Sequence, residues 1–359
     1  MKLSRLKHFI KLYLPYKCVL EYEEKRDFFA QFFAWKDSNP SVEFETESKW
    51  ENIISVSGFG YSGSGAIIDL LREYDECLVH GMAEGGSKAM VADDDFGEIK
   101  LLQYPGGLID IDTVIETQAK QLGDSALKRF AKLAYRDNIF NMGPQYREYF
   151  FMFFDAMTED VMRGIPGSVA AIIPRIRENI FTLRDYNKND YFALCRQFLY
   201  SLFNLQYREG KKYLVLDQVI STPAIGVNYC RNFIPNMKNV VVWRDPRDIY
   251  TIVVRQDIHW FPHDTVEHFI KIMTRRYANL NKDSKEYLAI RFEDLIFDYD
   301  NTVAKVEEYL NLGEHKRPQS CLDISISCKN VGMWKTATDI SQEDYDKIRK
   351  ALPQFCLEK

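Results

Sequence analysis

Short β-branched runs alternate with helical periodicities along most of this 359-residue chain, the pattern of a parallel sheet covered by helices on both faces. Ile53-Ile54-Ser55-Val56-Ser57 predicts a buried strand that runs into a glycine-rich turn. Ile67, Leu70, Leu71 and Tyr74 then recur at helical spacing. Cys77 to His80 predicts a second strand, and Tyr213 to Asp217, Asn239 to Trp243 and Tyr287 to Arg291 predict three more, each ending at polar residues. Val303, Val306 and Leu310 mark a further amphipathic helix, with Asp300 as its expected cap. The fold class expected is three-layer α/β, with a parallel sheet of about five strands.

Residues 93–210 break this rhythm. They carry few strand signals and three helical ones: Ile115-Ala119-Leu122, Leu127-Phe130-Leu133-Ala134, and Phe192-Cys195-Leu199-Leu202 behind an expected Asp190 cap. The stretch is expected to be a helical insertion between the second and third sheet strands, placed where it can roof a site at the strand ends. The domain reading is a helical arm over 1–50, then one α/β domain over 51–359 that carries the insertion.

Composition narrows the class. The chain is 28% charged and 46% hydrophobic with a net charge of −5. These values exclude wholesale disorder and argue against a general nucleic-acid binder, which needs a basic surplus. No apolar run is long enough to span a membrane. The seven cysteines are odd in number and none pair as Cys-x-x-Cys, so single buried thiols in a reducing, cytoplasmic compartment are expected. Lys2, Arg5, Lys7, Lys11 and Lys17 accompany Leu3, Leu6, Phe9, Ile10 and Leu14 near the N-terminus. That pattern is either a helix packed on the body or a basic amphipathic helix at the inner face of a membrane.

Two segments carry candidate chemistry. Ser57-Gly58-Phe59-Gly60-Tyr61-Ser62-Gly63-Ser64-Gly65 lies between a strand and a helix. Glycines let backbone N–H groups turn toward a phosphate, and the helix start adds its amides and positive dipole end. Ser62 and Ser64 add hydroxyls, and one of them is expected to cap the helix. Gly58 and Gly63 have P-loop spacing, but Ser64 stands where an ATP or GTP P-loop has its lysine. In the second segment, Val240 to Trp243 deliver Arg244-Asp245-Pro246-Arg247-Asp248 to the sheet edge. Arginine grips phosphate oxygens with paired hydrogen bonds, and Asp245-Pro246 suits a helix start.

These two segments, with Ile290-Arg291-Phe292-Glu293-Asp294-Leu295 and Asn330-Val331-Gly332-Met333-Trp334-Lys335, resemble in order and spacing the sulfotransferases that use 3′-phosphoadenosine 5′-phosphosulfate (PAPS). The resemblance covers about 51–92 and 211–351. It implies that Gly58, Tyr61, Ser62, Gly63, Ser64 and Gly65 surround the 5′-phosphosulfate and that Arg244 binds the 3′-phosphate. It implies supporting roles for Thr251, one position before the family's usual serine, and for Lys329. Glu293-Asp294 matches a mainly structural motif. The implied activity is transfer of a sulfuryl group from PAPS to a hydroxyl or amine, leaving adenosine 3′,5′-bisphosphate. The acceptor expected is a glycan or glycolipid, from the Tyr- and Phe-rich insertion.

The chain also departs from the family. Tyr61 stands where many members carry a cation, and Asp217-Gln218 stands where bacterial relatives carry Asp-Lys. Lys88, Arg175 and Arg177 of the insertion region are the replacements on offer. A base must take the acceptor proton; the resemblance implies Glu84, just past the second strand, and His80, at that strand's end, is the alternative because an imidazole titrates near neutrality. His259 and His263 have i, i+4 spacing, but Pro262 lies between them, so no metal is expected. Two other classes fit parts of the pattern: a non-catalytic adenosine-nucleotide- or glycan-binding relative, and a P-loop kinase of small molecules.

Overall fold

A computed structural model describes residues 28–79, 102, 107–136, 143–166, 177–219, 223–258 and 260–357. They form two compact units. One holds the described residues up to Ser48 together with those from 102 to 205; the other holds 49–79 with those from 206 onward. The basic N-terminal stretch, Lys88 and Arg175 lie outside the described residues.

The strands in chain order are β1 (Asn52–Gly58), β2 (Cys77–Val79), β3 (Thr158–Pro166), β4 (Arg177–Leu183), β5 (Tyr213–Asp217), β6 (Met237–Trp243) and β7 (Leu288–Arg291). Five of them make the expected parallel sheet, in the order β2-β5-β1-β6-β7. From Ile53 to Gly58 every residue of β1 is buried, as a strand covered on both faces must be. On one face Ile54, Val56, Val215, Val240 and Val242 pack with Ile67, Leu70 and Leu71 of helix Ser64–Leu71 and with Val303, Val306 and Leu310 of helix Tyr299–Leu310. Gly58 lies beside Val242, and Val56 beside Asp217. The segments leaving β1, β5 and β6 therefore start at the same edge of the sheet, where ligands of open α/β sheets bind.

The other unit is mainly helical, with helices over 28–37, Leu108–Glu116, Gly123–Arg136, Pro144–Met157 and Lys188–Asn204. Its core is aromatic. Phe153 stacks on Phe198 at 4.4 Å between ring centroids, and Phe154 meets Phe28 at 5.6 Å and Phe181 at 5.1 Å. Phe28 and Phe32, each 1% exposed, are thus core residues of this unit, so 28–48 of the expected arm pack with the insertion.

Several local expectations are corrected. The insertion also contains an antiparallel hairpin, β3 with β4. Its strands interleave Glu159, Asp160, Arg163 and Glu178 with the apolar positions, which hides them from a search for β-branched runs. The helix expected through Ile115, Ala119 and Leu122 stops at Glu116, because Gln118 turns to φ +51°. Asn187, not Asp190, caps helix Lys188–Asn204, accepting the Asp190 N–H. Asp300 likewise sits in the first turn of its helix, behind Asp298. An acid in the first turn favours the same dipole end as a cap, so the pattern marks the turn rather than the position. Cys77, Cys195 and Cys230 are buried thiols, but Cys328 is exposed on a surface 3₁₀ turn. Among the described residues no helix is long and apolar enough to cross a membrane.

Candidate functional site

The loop leaving β1 is built by left-handed backbone. Gly60, Tyr61 and Gly63 have φ of +83°, +53° and +89°. At Gly63 a Cβ would also lie 2.3 Å from the Phe292 ring, so only glycine fits. Ser62 is 1% exposed and its Oγ accepts the Phe59 N–H at 3.0 Å, which closes the loop from inside. Neither serine caps the helix: the N-cap position is Gly63, with no side-chain hydrogen bond. The positive end of helix Ser64–Leu71 is left without a side-chain acceptor. A Cβ on Gly65, in the first turn, would meet nothing within 4 Å.

Gln218, at the end of β5, holds this shape. Its own N–H donates to the Val56 carbonyl at 2.8 Å. Its Oε1 accepts the Gly58 N–H at 3.2 Å, and its Nε2 donates to Ser64 Oγ at 2.9 Å. The position expected to bring a cation instead brings an amide that can donate and accept at once.

At the end of β6, Arg244 is 3% exposed. Its Nη1 donates to the Tyr61 carbonyl at 3.2 Å and its Nη2 to the Asn330 carbonyl, and its guanidinium lies 5.0 Å from the centre of the Phe292 ring. Its Nε is buried with no hydrogen-bond partner. Asp248 is the carboxylate nearest to it, at 3.9 Å, but that group accepts the Gly332 N–H at 2.8 Å and the Trp334 N–H at 3.1 Å. Burial therefore pushes the Arg244 pKa down and the Asp248 pKa up. The second arginine plays another part. Arg247 forks onto Asp245 at 2.6 and 3.0 Å, donates to the Leu357 carbonyl and stacks on Trp334 at 3.9 Å. Asp245 caps helix Pro246–Arg255 as expected. Glu293 accepts the Asp245 N–H at 2.9 Å from a fully buried position, which gives it a structural role.

The remaining expected residues divide. Lys329 is exposed, next to the Asn330 carbonyl that Arg244 grips. Thr251 is not brought to the loop: its buried hydroxyl donates to the Arg247 carbonyl at 2.8 Å and pairs with the Tyr345 hydroxyl at 2.9 Å. Tyr61 stacks on Trp260 at 5.6 Å, and Trp260 is 64% exposed beside the loop. His80, Glu84 and His259 lie outside the described residues. His263 and His268 turn to Asp257 and Asp264 respectively.

Two residues beside the loop, Trp260 and Arg276, were missed from the sequence. Arg276, on helix Val266–Tyr277, donates from Nη1 to the Phe59 carbonyl, 217 residues away along the chain, and stacks on Phe261 at 4.4 Å. Only its place on an otherwise ordinary amphipathic helix was visible, and that carries no such signal.

The loop, the uncapped helix start, the open space at Gly65 and the orphaned Arg244 Nε fit a phosphate-bearing nucleotide. No family model matches the chain, and no curated protein matches it. Among solved structures it is similar to the sulfotransferase domain from the Synechococcus PCC 7002 olefin synthase, at 13% identity and a TM-score of 0.41 over 88% of this chain and 98% of that one. It is also similar to the sulfotransferase domain from the curacin biosynthetic pathway, at 11% and 0.39 over 86% and 99%. A third likeness is to a sulfotransferase from Mycobacterium tuberculosis H37Rv, at 13% and 0.37 over 92% and 81%.

Proposed function

We propose that the chain is a PAPS-dependent sulfotransferase acting on a hydroxyl or amine of its acceptor. The observation that carries this reading is Arg244, a buried guanidinium gripping the glycine loop while its Nε has no partner. A hydrogen-bond acceptor is what such a donor lacks, and a phosphate oxygen supplies one. The donor, when bound, supplies an activated sulfuryl group and a bisphosphate leaving group. In this reading Arg244 binds the 3′-phosphate with Lys329 beside it. The amides of 63–65 and the Ser64 hydroxyl hold the 5′-phosphosulfate. Glu84 or His80 takes the acceptor proton as the acceptor's bond to sulfur forms. For the acceptor we propose a glycan or glycolipid. Its support is the exposed Trp260 beside Tyr61, because the described phenylalanines of the insertion, which with its tyrosines carried the sequence reading, are core residues. The absence of a lysine at Ser64 weighs against a kinase.

Calorimetry with adenosine 3′,5′-bisphosphate, alongside transfer from labelled PAPS to a panel of hydroxyl acceptors, tests the reading. Binding and turnover are expected. Tight binding without turnover on any acceptor would favour a non-catalytic relative, and stronger thermal protection by ATP than by the bisphosphate would favour a kinase. Arg244→Ala should weaken bisphosphate binding by about 1.5–3 kcal/mol, the range for a charge-assisted hydrogen bond; unchanged affinity would remove Arg244 from the site.

A further inference from the structure

Sulfuryl transfer moves an electron pair onto the oxygen that bridges sulfur and the 5′-phosphate, and a cation near that phosphate stabilises the charge as it builds. The loop itself brings none: its side chains are Phe59, Tyr61, Ser62 and Ser64, and the neighbouring strand end brings Gln218. Arg244 donates to the Tyr61 and Asn330 carbonyls, and its remaining Nε is assigned to the 3′-phosphate. One other cation reaches the loop among the described residues. The Arg276 guanidinium donates to the Phe59 carbonyl, and a Cβ on Gly60 would stand 3.1 Å from its Nη1.

Arg276 differs from the other arginines nearby. Arg247, Arg255 and Arg291 each fork onto an aspartate. Arg276 makes no ion pair among the described residues; its partners are one backbone carbonyl and the Phe261 ring. Burial pushes its pKa down, so a counter-charge at the loop would relieve a cost that no carboxylate among the described residues answers. A guanidinium has five donors, and one carbonyl and one ring face leave several of them for a ligand.

We propose that Arg276 supplies the cation for the 5′-phosphate of the bound nucleotide, in place of a charged residue at Tyr61. The proposal rests on the reading of the site as a PAPS site. As the acceptor oxygen bonds to sulfur, the sulfur–oxygen bond to the phosphate breaks, the electron pair stays on the phosphate oxygen facing Arg276, and the acceptor proton goes to the base. No other reactant is needed.

The test compares adenosine 3′,5′-bisphosphate with adenosine 3′-phosphate by calorimetry, in the wild type and in Arg276→Gln and Arg276→Lys. The wild type should prefer the bisphosphate. Arg276→Gln should cut bisphosphate affinity roughly ten- to hundredfold while leaving adenosine 3′-phosphate affinity nearly unchanged. Arg276→Lys, which keeps the charge, should retain part of the preference and serves if the glutamine variant does not fold. An unchanged preference in the variants, or an equal loss for both ligands, would overturn the proposal and leave Arg276 a brace for Phe59. A wild type that binds neither ligand would sink the PAPS reading itself and this proposal with it.

Discussion

Glu293 holds the Asp245 N–H with one oxygen, has no partner on the other, and is pushed up to about 7 by burial. Its folded-state pKa thus lies above the unfolded value. The folded chain binds the proton more tightly, and stability from this group is full below about 4.5 and declines as pH rises through about 7. Glu293→Gln keeps an acceptor for Asp245 and removes the charge. Melting curves should show the variant gaining on the wild type between pH 5 and pH 8, by on the order of 1–3 kcal/mol at the upper end. A difference that is flat with pH would mean that Glu293 is ionised at little cost. Neither the partner nor the burial of this carboxylate was visible in the Phe-Glu-Asp-Leu run; only its structural character was.

Helix Ser64–Leu71 works at both ends. Its start carries the glycine loop, and Glu73, just past its end, is fully buried and accepts the Cys321 and Leu322 N–H groups at 2.8 Å, the Gln319 N–H at 3.0 Å and His315 at 2.7 Å. Glu73→Ala would leave three amides without their acceptor, at about 3–5 kcal/mol, and calorimetric melting should show the loss. A loss under about 1 kcal/mol would mean that water replaces the carboxylate. At this scale the sequence was readable where β-branched runs meet glycine or proline punctuation, as at β1, β6 and the Asp245 cap, and where short apolar runs end at polar residues, as at β5 and β7. It was unreadable where charges alternate with apolar residues, as in β3 and β4. It was also silent on Arg276 and Glu73, whose partners lie more than two hundred residues away and are set by sheet order, not by local pattern.

The two compact units each have their own core, aliphatic around the sheet and aromatic in the helical unit. Phe153→Ala, at a fully buried ring stacked on Phe198, should cost about 3–5 kcal/mol. Well below the melting temperature, bisphosphate affinity should be unchanged, because the proposed nucleotide ligands all lie in the sheet unit. A matching loss of affinity would show that the nucleotide site is not confined to the residues proposed for it. Gly65 shows what the site takes from the fold. Alanine would suit a first helical turn better than glycine by about 0.5–1 kcal/mol, and nothing among the described residues stands in the way of its methyl group. The folded chain is therefore locally frustrated there, and in the proposed site the nucleotide would use that space by coming within contact distance of bare backbone. Gly65→Ala should melt higher than the wild type yet bind the bisphosphate more weakly. A variant that gains stability and keeps its affinity would mean that the ligand approaches from elsewhere.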